Sequence, residues 1–247
     1  MVLRCAVVEK RYSMDAQLSI KGVTKLYVGR VATLLDRVLP KSRVVVITDA
    51  TIDRLYPDLV RRYENIIIGS GEANKSLATV STIYDRLMAM GADRSTFLLG
   101  IGGGIVTDIT GYVAATYMRG LDFGFVSTTL LGQVDASIGG KNGVNVADYK
   151  NMVGTIVHPR FVISDVEMLA TLPKRELRAG MAEVVKSAIV GDSQLFDYIE
   201  SRVAEDIYTS KEALQEVVLR AVAVKSAIVE EDERESGRRR VLNLGHT

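Results

Sequence analysis

The chain has 247 residues, of which 47% are hydrophobic, and its 31 basic and 30 acidic residues give a formal net charge of +1. This length supports a sizeable core, and the balanced charge excludes a global field that would attract nucleic acid or an anionic membrane. No apolar run is long enough to span a bilayer, and the single cysteine, Cys5, excludes an intramolecular disulfide, so we expect a cytoplasmic protein without nucleic-acid or membrane partners.

Short apolar runs of β type alternate with segments of helical period through the first part of the chain. The predicted strands are 25–29, 43–48, 65–69, 96–100 and 123–127, and the predicted helices are 31–38, 51–63, 75–90 and 104–118. This alternation predicts an α/β domain with a doubly wound, Rossmann-like parallel sheet. Such sheets bind ligands at the carboxyl ends of their strands.

The pattern becomes helical throughout after residue 172, with predicted helices at 174–190, 193–203 and 211–231. We place a boundary near Leu172 and Pro173. The sequence therefore predicts an α/β domain over 1–172 and an all-helical domain over 173–247, packed directly on each other because no linker-like stretch separates them.

A glycine-rich turn, Gly102–Asp108, follows a predicted strand and opens a helix. Glycines at this place let a pyrophosphate approach the backbone, and the helix N-terminus offers unpaired N–H groups. A tight turn without a ligand is the alternative, because the segment lacks the usual G-x-G-x-x-G pattern.

Two other polar positions also follow predicted strands. Asp49 suits a ribose hydroxyl, but it equally suits the N-cap of the helix that starts near Thr51. Gly71–Lys75 is either a nucleotide contact or a solvated loop. Because all three positions fall at carboxyl ends of strands, together they predict a nucleotide site at one edge of the sheet.

Residues 127–155 form a long connection that is rich in glycine, hydroxyl and amide groups, and such connections are either functional or disordered. The segment has no low complexity, which favours function. Lys141, Lys150 and Asn151 could bind phosphate by charge-assisted hydrogen bonds. For Lys150 by itself, a solvated surface charge is the alternative.

Glu183 and Lys186 are charged residues in an apolar helical run, where an ionised side chain is costly unless it is paired or bound to metal. His246 lies near the end of the chain. Glu183 and His246 predict two of the three protein ligands that a catalytic metal site of the zinc type uses. The only other histidine, His158, lies in a loop before Pro159.

Five segments in this order resemble 3-dehydroquinate synthase, a sugar phosphate cyclase: Gly102–Asp108, Ser127–Thr155, Ala182–Lys186, Asp232–Glu235 and Leu242–Thr247. The resemblance covers nearly all of the chain. It implies an NAD-binding domain packed on a helical, metal-binding domain. The implied carbon–oxygen lyase converts 3-deoxy-D-arabino-heptulosonate 7-phosphate into 3-dehydroquinate and phosphate in the shikimate pathway of aromatic amino acid biosynthesis.

The resemblance also implies roles for individual residues. Those matched to NAD contacts are Asp49, Glu72, Lys75, Gly103, Gly104, Asp108, Thr128, Thr129 and the stretch from Met168 to Thr171. Those matched to the nicotinamide end and the substrate are Asp135, Lys141 and Lys150. Those matched to phosphate, substrate or other active-site groups are Asn151, Arg119, Lys186, Lys225, Arg239 and Asn243. Glu183 and His246 match two of the family's zinc or cobalt ligands.

In the family's mechanism, NAD takes a hydride from a ring carbinol, phosphate is eliminated, the hydride returns, and the ring opens and recloses by an intramolecular aldol step. The metal polarises the hydroxyl that is oxidised. We expect Lys186 to organise the metal-bound substrate rather than to form a surface ion pair. The resemblance also implies a homodimer.

The family's motif continues with a further histidine and the third metal ligand, so we expect this chain to lack the C-terminal part and the complete metal site. Two alternatives to 3-dehydroquinate synthase stay open. One is another sugar phosphate cyclase, of the 2-deoxy-scyllo-inosose or 2-epi-5-epi-valiolone synthase type, whose substrate has no carboxylate. The basic Lys225 and Arg239 favour an acid substrate instead. The other alternative is a non-catalytic NAD-binding protein.

Overall fold

The computed structural model describes residues 16–202 and 207–245. Within them, seven strands form one sheet in the order β1–β2–β9–β6–β5–β3–β4, and β7 and β8 form a separate hairpin. The strands are β1 Ala16–Ile20, β2 Thr24–Val28, β3 Val44–Asp49, β4 Glu64–Ile68, β5 Phe97–Gly102, β6 Phe123–Ser127, β7 Lys141–Val146, β8 Tyr149–Ile156 and β9 Phe161–Ser164.

Eight α-helices surround or follow the sheet in this part of the chain. They are α1 Val31–Val38, α2 Ala50–Leu55, α3 Pro57–Val60, α4 Leu77–Ala89, α5 Gly104–Thr116, α6 Lys174–Gly191, α7 Ser193–Ser201 and α8 Lys211–Glu231. A short π-helix, Gly132–Ala136, and 3₁₀ helices at Glu72–Asn74, Tyr117–Arg119, Val166–Thr171 and Arg238–Asn243 complete the described structure.

The sheet is parallel except for β1, which pairs antiparallel with β2. Successive side chains of a strand point to opposite faces, and β3 shows this directly. Val45 and Ile47 pack in the core that includes α4 and α5, whereas Val46 packs against α1, α2 and α3 on the other face. Apolar layers on both faces confirm the predicted doubly wound α/β fold.

The strands that were predicted from apolar runs all form, and most predicted helices agree within a few residues. The predicted helix 51–63 is wrong as one element, because it is divided into α2 and α3. Pro57 has no backbone N–H to continue α2, and it forces the preceding Tyr56 out of helical geometry, with φ of −132°. Proline is well suited to the first turn of α3.

The segment 127–155 is ordered rather than a bare connection. It contains the π-helix and then most of the β7–β8 hairpin, whose register pairs Lys141 with Ile156 and Val144 with Val153. Periodicity missed these strands because Lys141–Val146 and Tyr149–Ile156 carry glycine and polar residues without clear alternation. The two strands are stabilised by their pairing with each other and by the packing of β7 beside α5.

The three long C-terminal helices form as predicted, and α6 begins directly after Pro173. Asp192 caps α7 and forms a double hydrogen bond with Arg220 of α8, at 2.8 and 2.6 Å, which ties α7 to α8. The division into domains at residue 172 stays a prediction. No helix in the described ranges combines the length and apolarity that crossing a bilayer requires.

Candidate active site

The carboxyl ends of β3, β5 and β6 lie side by side, since these strands are neighbours in the sheet. β5 ends at Gly102, and Gly103 precedes the first turn of α5 without a side-chain cap. A Cβ atom added to Gly103 would lie 2.8 Å from Cγ2 of Thr129, and one added to Gly104 would lie 3.1 Å from Cβ of Ala136. The turn therefore needs glycine for close packing, and it leaves backbone N–H groups at the start of α5 available.

Hydroxyl groups border this turn. Thr128 donates its backbone N–H to the carbonyl of Gly102 at 3.0 Å, and Thr129 accepts from the N–H of Gly132 at 3.0 Å. The side-chain oxygens of Ser127 and Thr128 are buried and have no hydrogen-bond partner within the described residues. Buried polar atoms without a protein partner are uncommon.

Asp49 caps helix α2, which bears out the structural alternative for this residue. Its carboxylate accepts from the N–H groups of Thr51 at 2.7 Å and Ile52 at 3.2 Å, and from the hydroxyl of Ser70 at 3.1 Å. A cap leaves the second carboxylate oxygen for a ligand, so the nucleotide contact of Asp49 stays a prediction.

The stretch from Met168 to Thr171 lies against Tyr56, the residue that follows the C-terminal end of α2. The hydroxyl of Tyr56 donates to the carbonyl of Met168 at 3.1 Å and bonds to the hydroxyl of Thr171 at 2.8 Å. Tyr56 therefore ties this stretch to α2.

A second group of charges joins the Glu72–Asn74 turn to α5 and the hairpin. Lys75 is buried and bonds to Asp108 at 2.5 Å and to the side-chain oxygen of Asn151 at 2.6 Å. Asn151 has a φ of +57°, which asparagine tolerates better than most residues. Lys150 lies 3.8 Å from Glu72 beside a cleft of about 290 Å³, and its side chain is 72% exposed. The surface-charge alternative therefore describes Lys150 well in this structure.

Burial raises the pKa of Asp108 to about 6, although Lys75 opposes the shift. A folded-state pKa above the unfolded value of 3.8 means that the folded protein binds more protons between these two pH values, so its stability falls as pH rises through this window. The wild type should therefore lose about 3 kcal/mol of unfolding free energy between pH 4 and pH 7. We expect Asp108→Asn not to show this loss.

Urea unfolding of the wild type and Asp108→Asn at several pH values measures this difference. Asn151 continues to accept a hydrogen bond from Lys75 in the variant, so the lysine keeps a partner. A difference in unfolding free energy that does not change with pH would contradict the raised pKa of Asp108.

A third group of charges links the π-helix to α6 and α8. Lys225 donates to the carbonyl of Asp135 at 2.7 Å and to its carboxylate at 2.5 Å. Lys186 forms an ion pair with Glu183 and lies 3.6 Å from the Asp135 carboxylate. Both lysine side chains are less than a tenth exposed. Lys186 is thus a buried charge rather than part of a surface ion pair, and burial lowers the pKa of Lys225.

The segment after α8 brings Arg239 and Asn243 to the same region. Arg239 is 3% exposed, and its guanidinium donates to the carbonyl of Gly139 at 3.0 Å. Glu235 forms an ion pair with Lys141 and accepts from Asn243 at 2.5 Å. Burial lowers the pKa of Lys141, and the nearby cations Arg239 and Lys225 lower it further.

Among the described residues, no group of three histidine, cysteine or acidic side chains could hold a metal ion. Glu183, with a side chain 14% exposed, supplies one carboxylate that Lys186 neutralises. His246 lies outside the described residues, so its predicted role as a ligand has no structural counterpart here. The predicted metal site stays a prediction.

Arg119 is not brought to this edge of the sheet. It ends the short helix that follows α5, and α5 runs from the carboxyl end of β5 toward the opposite end of the sheet. Met118 and Arg119 both have positive φ values, of 50° and 69°. Within this chain, the predicted substrate contact of Arg119 is therefore remote from the other candidate residues.

Two family models match consecutive parts of the chain. The model described as 3-dehydroquinate synthase N-terminal matches residues 65–179, and the model described as 3-dehydroquinate synthase C-terminal matches residues 180–247. Together they cover about three quarters of the sequence. The chain belongs to the 3-dehydroquinate synthase family.

Individual relatives agree with this assignment. The 3-dehydroquinate synthase of Rhodospirillum rubrum is 43% identical over 227 residues, which are 89% of this chain and 59% of that protein. The chain thus spans about three fifths of this curated relative. The 2-epi-5-epi-valiolone synthase ValA of Streptomyces hygroscopicus subsp. jinggangensis, with NAD⁺ and Zn²⁺ bound, has a TM-score of 0.81 at 32% identity, over 96% of this chain and 68% of its own.

A second similar structure is a 2-deoxy-scyllo-inosose synthase complexed with carbaglucose-6-phosphate, NAD⁺ and Co²⁺. Its TM-score is 0.80 at 25% identity, over 94% of this chain and 68% of its own. The fold of this 3-dehydroquinate synthase family member is therefore the fold of the sugar phosphate cyclases.

Several residues at the site were not singled out from the sequence. Glu235 bridges Lys141 and Asn243, and Glu233 contacts His158. The acidic run Asp232–Glu235 is one of the segments that carry the family resemblance, but its spacing does not predict which groups its carboxylates contact. Gln133 is fully buried and donates to the carbonyls of Ser127 and Asp165, at 3.1 and 2.8 Å. In the sequence, the only signal for Gln133 is its place within the polar segment 127–155.

Proposed function

We propose that this chain carries the cofactor and substrate sites of a 3-dehydroquinate synthase, which converts 3-deoxy-D-arabino-heptulosonate 7-phosphate into 3-dehydroquinate and phosphate. The observation that carries the proposal is the convergence of three buried cations, Lys186, Lys225 and Arg239, near Asp135. Buried cations are costly unless they have partners, and here Asp135 is shared among them. An anionic substrate with a carboxylate and a phosphate would be a further partner for this charge.

NAD fits the edge formed by β3, β5 and β6. The start of α5 has no side-chain cap, so its backbone N–H groups are available to a pyrophosphate. When bound there, NAD would supply a hydride acceptor. The residues proposed to hold it are Asp49, Glu72, Lys75, Gly103, Gly104, Asp108, Thr128, Thr129, Asp135, Lys141, Lys150, Met168 and Thr171.

A divalent zinc or cobalt ion is proposed to bind Glu183 and His246, together with ligands beyond the described residues. Such an ion would act as a Lewis acid on a substrate oxygen. The chain's own contribution at this place is the buried ion pair between Glu183 and Lys186.

The lysines and the arginine are proposed to bind and orient the substrate. Lys186 and Lys225 lie on α6 and α8, so rigid helices hold their ammonium groups against Asp135. Lys141 stands at the more open side, with a side chain 52% exposed, beside Asn243 and Glu235. Its lowered pKa makes its ammonium a better proton donor than a free lysine.

Release of phosphate from 3-deoxy-D-arabino-heptulosonate 7-phosphate, with NAD and Zn²⁺ or Co²⁺, tests the proposal. The chain is assayed beside a chimera completed with the residues of the Rhodospirillum rubrum relative that lie C-terminal to the matched region. We expect turnover that requires NAD and metal in the chimera. A chimera that binds NAD without releasing phosphate would favour the non-catalytic alternative.

Lys186 is expected to be essential for turnover. Removing a buried, paired charge at a binding site costs several kcal/mol, so Lys186→Met in the chimera should lower kcat/KM by about 100-fold. NAD affinity, measured by titration, should fall by less than about tenfold, because Lys186 pairs with Glu183 and lies 3.6 Å from Asp135, a longer distance than that of the Lys225 contact. Unchanged turnover would leave Lys186 a purely structural role.

A second candidate activity is that of the related cyclases, whose phosphorylated substrates have no carboxylate. The 32% identity to ValA is the observation that favours it. Comparing kcat/KM for the heptulosonate phosphate with that for sedoheptulose 7-phosphate and glucose 6-phosphate decides between them. A homodimer and a cytoplasmic location are also proposed, and sedimentation of the chimera measures its oligomeric state.

A further inference from the structure

Two side chains fasten the loop between α8 and the Arg238–Asn243 helix to the α/β region: Glu235, which pairs with Lys141 of β7, and Glu233. The Glu233 carboxylate bonds to Nε2 of His158 at 2.8 Å and to the ammonium of Lys21 at 3.0 Å. His158 follows β8, and Lys21 lies in the turn between β1 and β2. One carboxylate thus ties this loop to two separate segments of the α/β region.

His158 is the buried partner in this contact, with a side chain 10% exposed, whereas that of Lys21 is 41% exposed. Its ring packs on Gly140, where an added Cβ would lie 3.1 Å from two ring atoms. Nδ1 is buried and has no hydrogen-bond partner among the described residues. Nε2 donates to Glu233, because a carboxylate oxygen can only accept.

The same loop determines where the Arg239 guanidinium lies. Arg239 donates through Nη1 to the backbone carbonyl of Glu233 at 2.5 Å and through Nη2 to the carbonyl of Gly139 at 3.0 Å. Asp232 accepts from the N–H groups of Gly237 and Arg239, which closes the loop on itself. A displacement of Glu233 would therefore move one of the carbonyls that hold this buried cation.

We propose that His158 is a positioning residue, whose hydrogen bond to Glu233 fixes the loop and thereby aims the Arg239 guanidinium at the substrate region. This inference rests on the proposed function, because that function makes the surroundings of Arg239 a substrate region. The hydrogen bond between His158 and Glu233 does not depend on that function.

Hydrogen exchange of the backbone amides of residues 232–240 tests the contact without any substrate. His158→Phe keeps the ring volume and removes the donor, so we expect these amides to exchange at least about tenfold faster. His158→Gln supplies an amide donor and should return exchange to within about threefold of wild type. Lys21→Met, which removes only the more exposed partner, should have an effect below about twofold.

Kinetics of the chimera test the positioning role. We expect His158→Phe to raise KM for the heptulosonate phosphate about tenfold with kcat changed less than threefold, and His158→Gln to rescue KM. Glu233→Ala removes the acceptor without disturbing the packed ring, and it should reproduce the exchange and KM effects of His158→Phe even if that variant folds poorly.

Unchanged exchange in both His158→Phe and Glu233→Ala would overturn the inference, as would a glutamine variant that behaves like phenylalanine. Faster exchange together with unchanged KM would also overturn the positioning role. If the wild-type chimera turns over no sugar phosphate, the proposed function fails. The exchange pattern, with its rescue by glutamine, then still decides whether His158 fixes the loop.

Discussion

Lys225→Met is expected to lower kcat/KM of the chimera by about 100-fold and the free energy of unfolding by about 3 kcal/mol. The ammonium of Lys225 bonds to both the carbonyl and the carboxylate of Asp135. Removing it takes the 2.5 Å ammonium contact from a largely buried carboxylate, whereas Lys186 stays 3.6 Å away. Because Asp135 is 22% exposed, the expected loss lies at the low end of the range for a broken buried pair.

The double variant Asp135→Asn, Lys225→Met separates stability from function. Without the carboxylate there is no uncompensated charge, so we expect it to regain at least about 1.5 kcal/mol of the lost stability. Turnover should stay as low as in the single variant, because the proposed substrate contact is still missing. Urea unfolding and phosphate release measure the two effects. A single variant as stable as wild type would show that the Asp135–Lys225 pair does not form in solution.

Gly103→Ala is expected to weaken NAD binding by at least about tenfold, or roughly 1.4 kcal/mol. The added methyl would lie at the start of α5, 2.8 Å from Cγ2 of Thr129. We expect it to hinder the approach of a pyrophosphate to the backbone and also to clash with Thr129. Titration of the chain with NAD measures the affinity, and thermal unfolding measures the strain.

Thr129→Ser provides the matched control, because it removes the Cγ2 atom that the new methyl would meet while keeping the hydroxyl that accepts from Gly132. We expect the double variant Gly103→Ala, Thr129→Ser to regain thermal stability and to remain weak in NAD binding. Recovery of both properties would assign the defect to packing alone, and it would remove the glycine turn from the proposed cofactor site.

The sequence determined the elements that depend on local pattern. The buried run Val44–Thr48 and its counterparts form the parallel strands, and the apolar period of α8 gives a helix with the predicted bounds 211–231. Glycine at strand ends and the motif order were equally visible, so the family and the carboxyl edge of the sheet could be predicted. These features need only the preferences of neighbouring residues.

Only the tertiary structure decided which charges meet. Asp135 and Lys225 are 90 positions apart, and Glu233 lies 75 positions from its partner His158, distances that no periodicity encodes. The structure also assigned Asp49 a capping role, left Lys150 exposed and placed Arg119 at the far end of α5. Sequence specifies local geometry through short-range sterics and periodic burial, whereas contacts between distant side chains exist only once the sheet order and helix packing bring their elements together.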